Sequence, residues 1–111
     1  MAQTFKAINP DIHFRVLNAL EKNPDITQRQ LAKILGISLG GVNYCLKALI
    51  DVGHIKINNF QKNPNKSIYL YLLTPKGISK KTLLAAEFLN RKMAEYEALR
   101  IEIENIRHNF K

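Results

Sequence analysis

The chain has 111 residues, with 17 Lys+Arg against 9 Asp+Glu, a formal net charge of +8 and 46% hydrophobic residues. That is one domain's length with apolar content enough for a core, which argues against wholesale disorder. The lone Cys45 excludes an intramolecular disulfide framework, and no apolar run nears the ~18–20 residues of a membrane span or the long apolar stretch of a signal peptide, so a soluble cytoplasmic protein is expected.

The charge is unevenly spread. Residues 1–76 carry ten basic and four acidic side chains, a net +6, whereas 77–111 carry seven and five, a net +2. A basic surface favours a polyanion, because each neutralised phosphate releases condensed counterions.

In chain order, residues 11–22 place Ile12, Val16 and Leu20, with Phe14 and Leu17, at helical spacing. Asn9-Pro10-Asp11 is a natural start and Asn23-Pro24-Asp25 an end. Thr27 then serves as an N-cap, and Gln30 completes a capping box. Leu31, Ile34 and Leu35 form the expected buried face of this next helix, with Ala32 leaving room for close contact. Gly36 suits a left-handed helix exit, and Ser38 caps a following helix with Val42, Cys45, Leu46, Leu49 and Val52 on one stripe. Gly53 closes it. Two short amphipathic helices around a Gly36-Ile37-Ser38 break read as a helix-turn-helix.

The periodicity then changes. Residues 54–58 alternate polar and apolar, and 67–74 are rich in β-formers, so both read as strands. Residues 61–66 between them read as a polar hairpin tip, and the pair as a wing. Thr74-Pro75-Lys76-Gly77 starts another helix, and from Leu83 neither Gly nor Pro interrupts the chain. Leu89, Tyr96, Ile103 and Phe110 recur every seven residues, with Leu99 and Ile106 between them, an a/d seam broken only by Lys92. Glu87, Arg91 and Glu95, then Glu97, Arg100 and Glu104, are spaced to support the helix locally.

The expected fold is mainly α with a small β-hairpin wing (α+β). Residues 1–77 make a winged helix-turn-helix, and 78–111 a long C-terminal dimerisation helix in the same structural unit. Removing the apolar stripe of the second motif helix leaves Ser38, Leu39, Gly40, Gly41, Asn43, Tyr44 and Lys47 outward. Asn pairs with adenine, Lys reaches guanine or phosphate, and Tyr donates to phosphate or packs on a thymine methyl. The adjacent glycines cost about 1 kcal/mol each in a helix, which close approach of the backbone to DNA would offset. Lys62, Asn63, Asn65 and Lys66 at the wing tip suit phosphates or a minor groove, and Thr27, Gln28 and Arg29 complete the candidate surface. Leu89, Met93, Tyr96, Leu99, Ile103, Ile106 and Phe110 would pair with a second copy.

Blander readings stand beside these. The outward face could be ordinary solvated surface, and the wing lysines could serve solubility alone. Cys45 on an apolar stripe reads as inert packing rather than a redox switch. His13, His54 and His108 lack ligand spacing, so no metal is expected. With no P-loop, GxGxxG, GxSxG or paired-carboxylate pattern, neither an enzyme nor a cofactor is expected. The competing function is a winged-helix protein-docking module with nonspecific nucleic-acid affinity.

Residues 71–77, YLLTPKG, resemble the Y-x-L-T-x-x-G exit of MarR-type winged-helix transcriptional regulators. Residues 36–40 (GISLG), 42–51 (VNYCLKALID) and 92–99 (KMAEYEAL) are similar to the small exopolysaccharide-associated subgroup of those regulators. The resemblance implies a bacterial homodimer that binds a palindromic operator in double-stranded DNA, at a polysaccharide biosynthesis locus. It makes 38–47 the recognition helix, 62–67 the wing tip and the long helix the dimerisation element; no small-molecule effector is carried over.

Overall fold

The computed structural model describes residues 9–63 and 66–110, with side chains throughout except at 60–63 and 66–67. Three helices come first: α1 (Pro10–Lys22), α2 (Gln28–Leu35) and α3 (Leu39–Asp51). An antiparallel pair follows, β1 (Ile55–Asn63) and β2 (Lys66–Leu73), then the 35-residue α4 (Pro75–Asn109). This is the winged helix-turn-helix with a long final helix that the residue pattern foretells.

The helix ends are set by local chemistry. Asn9 Oδ1 accepts from the Asp11 and Ile12 amides at 2.8 and 3.4 Å, with Pro10 in the first turn. The Thr27 hydroxyl accepts from the Gln30 amide while the Gln30 side chain accepts from the Thr27 amide, both at 3.0 Å. Gly36 ends α2 at φ 69°, its amide donating to the Ala32 carbonyl at 2.8 Å. Ser38 Oγ then accepts from the Gly41 amide at 2.9 Å and starts α3. The turn leaves the α2 and α3 axes 106° apart, within the range of helix-turn-helix motifs.

One core joins the elements. Val16, Leu17 and Leu20 of α1 meet Ile26, Leu31, the α3 stripe Val42, Leu46 and Leu49, Ile55, Tyr71 and Leu84. Cys45 is buried on the same stripe, and burial pushes its thiol pKa up, which keeps it protonated and unreactive. Ile34 departs from expectation. It is 64% exposed and lines a groove with Leu35, Phe14 and Phe88, so the inner face of the eight-residue α2 is narrower than helical spacing suggests.

The wing is also longer than its composition indicates. Pairing runs from Ile55 opposite Leu73 to Asn63 opposite Lys66, with an irregularity between Gln61 and Asn63. Most of the expected 61–66 loop is therefore strand backbone. Polar side chains do not prevent a ladder in a two-stranded ribbon, where backbone pairing rather than burial selects the conformation.

Where the wing meets α4, three close contacts fix the geometry. The Thr74 hydroxyl accepts from the Gly77 amide at 3.0 Å and donates to the Gly53 carbonyl at 2.5 Å. The Thr74 amide donates to the His54 carbonyl at 3.0 Å. A Cβ on Gly77 would lie 1.9 Å from that same carbonyl oxygen, so only glycine fits. From there α4 runs along α1. Phe88 packs against Phe14 with tilted rings, 4.8 Å between centroids, and Lys81 and Arg91 form ion pairs with Glu21 and Asp11. Arg91 thus serves the α1 contact rather than the local pairing with Glu87 or Glu95 expected of it, whereas Arg100 does pair locally with Glu97 at 2.6 Å.

Two histidines that sequence leaves scattered are stacked here. His13 Nε2 and His54 Nδ1 are 3.2 Å apart, and His54 is buried. Burial first, then the charge of His54 and of Lys80, lowers the His13 pKa from 6.5 to about 4. His54 is lowered too, by burial and then by Lys76 and Lys80. Among the described residues no group of three or more His, Cys, Asp or Glu could hold a metal ion.

Gly77→Ala should lower unfolding stability by about 2–3 kcal/mol, read from a denaturant midpoint, because backbone must move to admit the methyl group. A midpoint unchanged by this substitution would contradict the close contact. Between pH 6.5 and about 4 the unfolded chain binds a proton that folded His13 refuses, so acid favours unfolding. Stability should be full above pH 6.5 and decline toward 4, and His13→Gln should lessen that decline. Equal acid sensitivity in both proteins would contradict the assignment.

Candidate nucleic-acid interface

α3 presents two faces. Its inner stripe is sealed in the core, and its outer side carries Ser38, Leu39, Gly40, Tyr44 and Lys47, all exposed. Leu39 is 46% exposed and Tyr44 48%, a large apolar and aromatic presence for solvent-facing positions. Gly41 and Asn43 are only half-buried, at the edge between the faces. The helix N-terminus lies within this surface, and the helix dipole favours a phosphate there.

Asn43 does more than face outward. Its Nδ2 donates to Gln28 Oε1 at 3.4 Å, and Gln28 Nε2 donates to the Tyr71 hydroxyl at 3.1 Å. Tyr71 is buried in the core, and its amide donates to the Pro24 carbonyl at 3.0 Å. A polar chain thus runs from β2 through the start of α2 to α3, fixing their relative placement. Residue pattern alone gives no sign of it, because the three partners are distant in sequence. The one available signal is the strand alternation that puts Tyr71 on the inner face.

Of the remaining candidates, Thr27 is committed to the capping box and Arg29 is exposed beside it on α2. Lys62, Asn63 and Lys66 have strand backbone, but their side chains lie outside the described residues, and Asn65 lies outside them altogether. The two glycines differ. A Cβ on Gly41 would meet Ser38 Oγ at 3.2 Å and Ile37 Cδ1 at 3.6 Å, whereas one on Gly40 would meet only Ser38 Oγ, at 4.0 Å. Among the described residues nothing requires glycine at position 40.

Comparison with known proteins agrees with this architecture. Residues 10–56 match the family model described as winged helix-turn-helix DNA-binding. No curated protein matches the chain in sequence. Among solved structures, it is similar to a MarR/EmrR family transcriptional regulator from Acinetobacter sp. ADP1, at 21% identity and a TM-score of 0.62, over 87% of this chain and 72% of that one. It is similar to smu.1704 of Streptococcus mutans UA159, at 18% identity and a TM-score of 0.70, over 88% of this chain and 94% of that one. It is also similar to the adhesin competence repressor AdcR of Streptococcus pyogenes, at 17% identity and a TM-score of 0.63, over 88% of this chain and 67% of that one. At such identities these likenesses establish the fold alone: a winged helix-turn-helix of the kind seen in MarR-family regulators. No single described helix is long and apolar enough to cross a membrane.

Gly40→Ala separates the two demands on this surface. It should raise folding stability by about 0.5–1 kcal/mol, since alanine is the better helix former and its methyl group is unopposed. DNA affinity should fall in the same protein if the backbone approaches the duplex here. Unchanged affinity with raised stability would remove Gly40 from the interface.

Proposed function

We propose that the protein is a homodimeric, sequence-specific DNA-binding transcriptional regulator acting on a palindromic operator. The observation that carries this reading is the outward side of α3, where a helix N-terminus, Tyr44, Lys47 and the edge residue Asn43 share one surface beside the start of α2. In this reading 1–77 is the DNA-binding part and 78–111 the dimerisation helix. Two-fold symmetry then sets the α3 helices of the two copies in successive major grooves, roughly 34 Å apart. Asn43 and Lys47 contact base edges, Tyr44 a phosphate or thymine methyl, and Thr27, Arg29, Lys62 and Lys66 the flanking backbone. The likeness of residues 36–40, 42–51 and 92–99 to exopolysaccharide-associated regulators makes polysaccharide biosynthesis genes the expected targets.

Binding-site selection from a random duplex pool, followed by mobility shift at two salt concentrations, tests the proposal. Lys62→Ala should weaken all duplexes alike and reduce the salt slope by about one, while Asn43→Ala should relax preference at one position. The Asn43 variant needs its melting transition checked, because the same amide holds Gln28. Identical behaviour of both variants in the selection would overturn the assigned roles, and no enriched sequence would overturn the proposal itself.

A further inference from the structure

Among the described residues, α4 beyond Lys92 stands clear of the other elements. Its seam residues range from 44% exposed at Ile103 to 85% at Phe110, a density of apolar surface that water does not favour. Lys92, the break in the seam, lies 3.8 Å from Asp11 and 5.4 Å over the Phe88 ring, so the helix leaves α1 where the seam is interrupted. Leu89, already 59% exposed, shows that α1 covers a different face, and the whole run from Leu89 to Phe110 is open to a partner.

Charge beside the seam selects how such a partner lies. With Leu89, Tyr96, Ile103 and Phe110 at a and Leu99 and Ile106 at d, the g positions are Glu95, Glu102 and Asn109, of which the two glutamates are charged. The matching e positions are Arg100 and Arg107. In a parallel, in-register pair, each g residue lies beside the e residue of the partner's next heptad, so glutamate meets arginine at every such contact. In an antiparallel pair g lies beside g and e beside e, which sets glutamate against glutamate and arginine against arginine. Individual exposed pairs are weak, but their sign reverses between the two arrangements, and that reversal decides direction. Among the described residues Glu102 and Arg107 have no ion pair within their own chain, while Glu95 and Arg100 hold only near neighbours, Lys92 at 3.2 Å and Glu97 at 2.6 Å.

We infer that α4 pairs with α4 of a second copy in parallel and in register, with Glu95 and Glu102 of each chain beside Arg100 and Arg107 of the other. The inference rests on the homodimeric reading above and adds its geometry. Both winged bodies then sit at the same end of the coil, where one duplex crossing its axis meets both α3 helices.

Two measurements on the full chain test it. Leu99→Cys and Ile106→Cys, made separately and equilibrated in a glutathione redox buffer, should each cross-link to their own counterpart in more than half of the chains. The parent chain, whose Cys45 is buried, is the control and should not cross-link. These positions are separated by roughly 10 Å along the helix, and in an antiparallel pair only a residue at the dyad meets its own copy. Cross-linking at one position or neither, in a protein that sediments as a dimer, overturns the parallel arrangement and leaves the dimer standing. A monomer by sedimentation overturns both. Small-angle scattering from the unsubstituted dimer guards against variants that dissociate. A longest dimension of roughly 70–80 Å, near the 68 Å of one chain, supports the parallel pair, and roughly 100 Å overturns it.

Discussion

Val42, Leu46 and Leu49 are withdrawn from water among Val16, Leu17, Leu20 and Leu31, and a short helix with one side so committed has its other side determined. Turning α3 to show a different set would expose three large aliphatic side chains, at about 1.5–3 kcal/mol each. The outward identity of Leu39, Tyr44 and Lys47 is therefore a consequence of packing. Function enters through which residues occupy the positions that packing leaves over. The Tyr71–Gln28–Asn43 chain sharpens the same constraint, tying the edge of α3 to the base of the wing through hydrogen bonds rather than apolar contact.

A second constraint sits at the base of the wing, where β2 gives way to α4. The sequence Thr74-Pro75-Lys76-Gly77 turns a strand into a helix directly over the His54 carbonyl, and the absent side chain of Gly77 lets the two backbones touch. The direction in which 35 residues of α4 depart is set by that one contact and by the run of α1 contacts that follows it. Much of the YLLTPKG pattern thus has a mechanical explanation. Tyr71 anchors the wing, Thr74 caps the helix, and Gly77 permits the close approach. The residues that resemble a family of regulators are in this segment the residues that fix the fold.

Sequence disclosed the elements whose causes are local. The Thr27–Gln30 box, the left-handed Gly36 and the caps at Asn9, Ser38 and Thr74 depend on residues within a few positions of one another. Features that depend on distant residues were closed to it. Nothing near His13 indicates that His54 lies 3.2 Å away, and nothing near Arg91 favours Asp11 over Glu87. Ile34 fits an apolar stripe and is nevertheless exposed, because helical periodicity reports a direction while burial depends on what stands opposite. The outward side of α3 was legible for the converse reason: five buried positions on one stripe leave few others.

The most direct test is an amide-resolved NMR titration of the protein with a duplex drawn from its own selected pool. If the outer side of α3 meets the major groove, the largest changes will cluster at residues 38–47, with a second group at 27–29 and in the wing. Changes confined to α1 and α4, with α3 silent at saturation, would contradict the assignment of this surface to DNA.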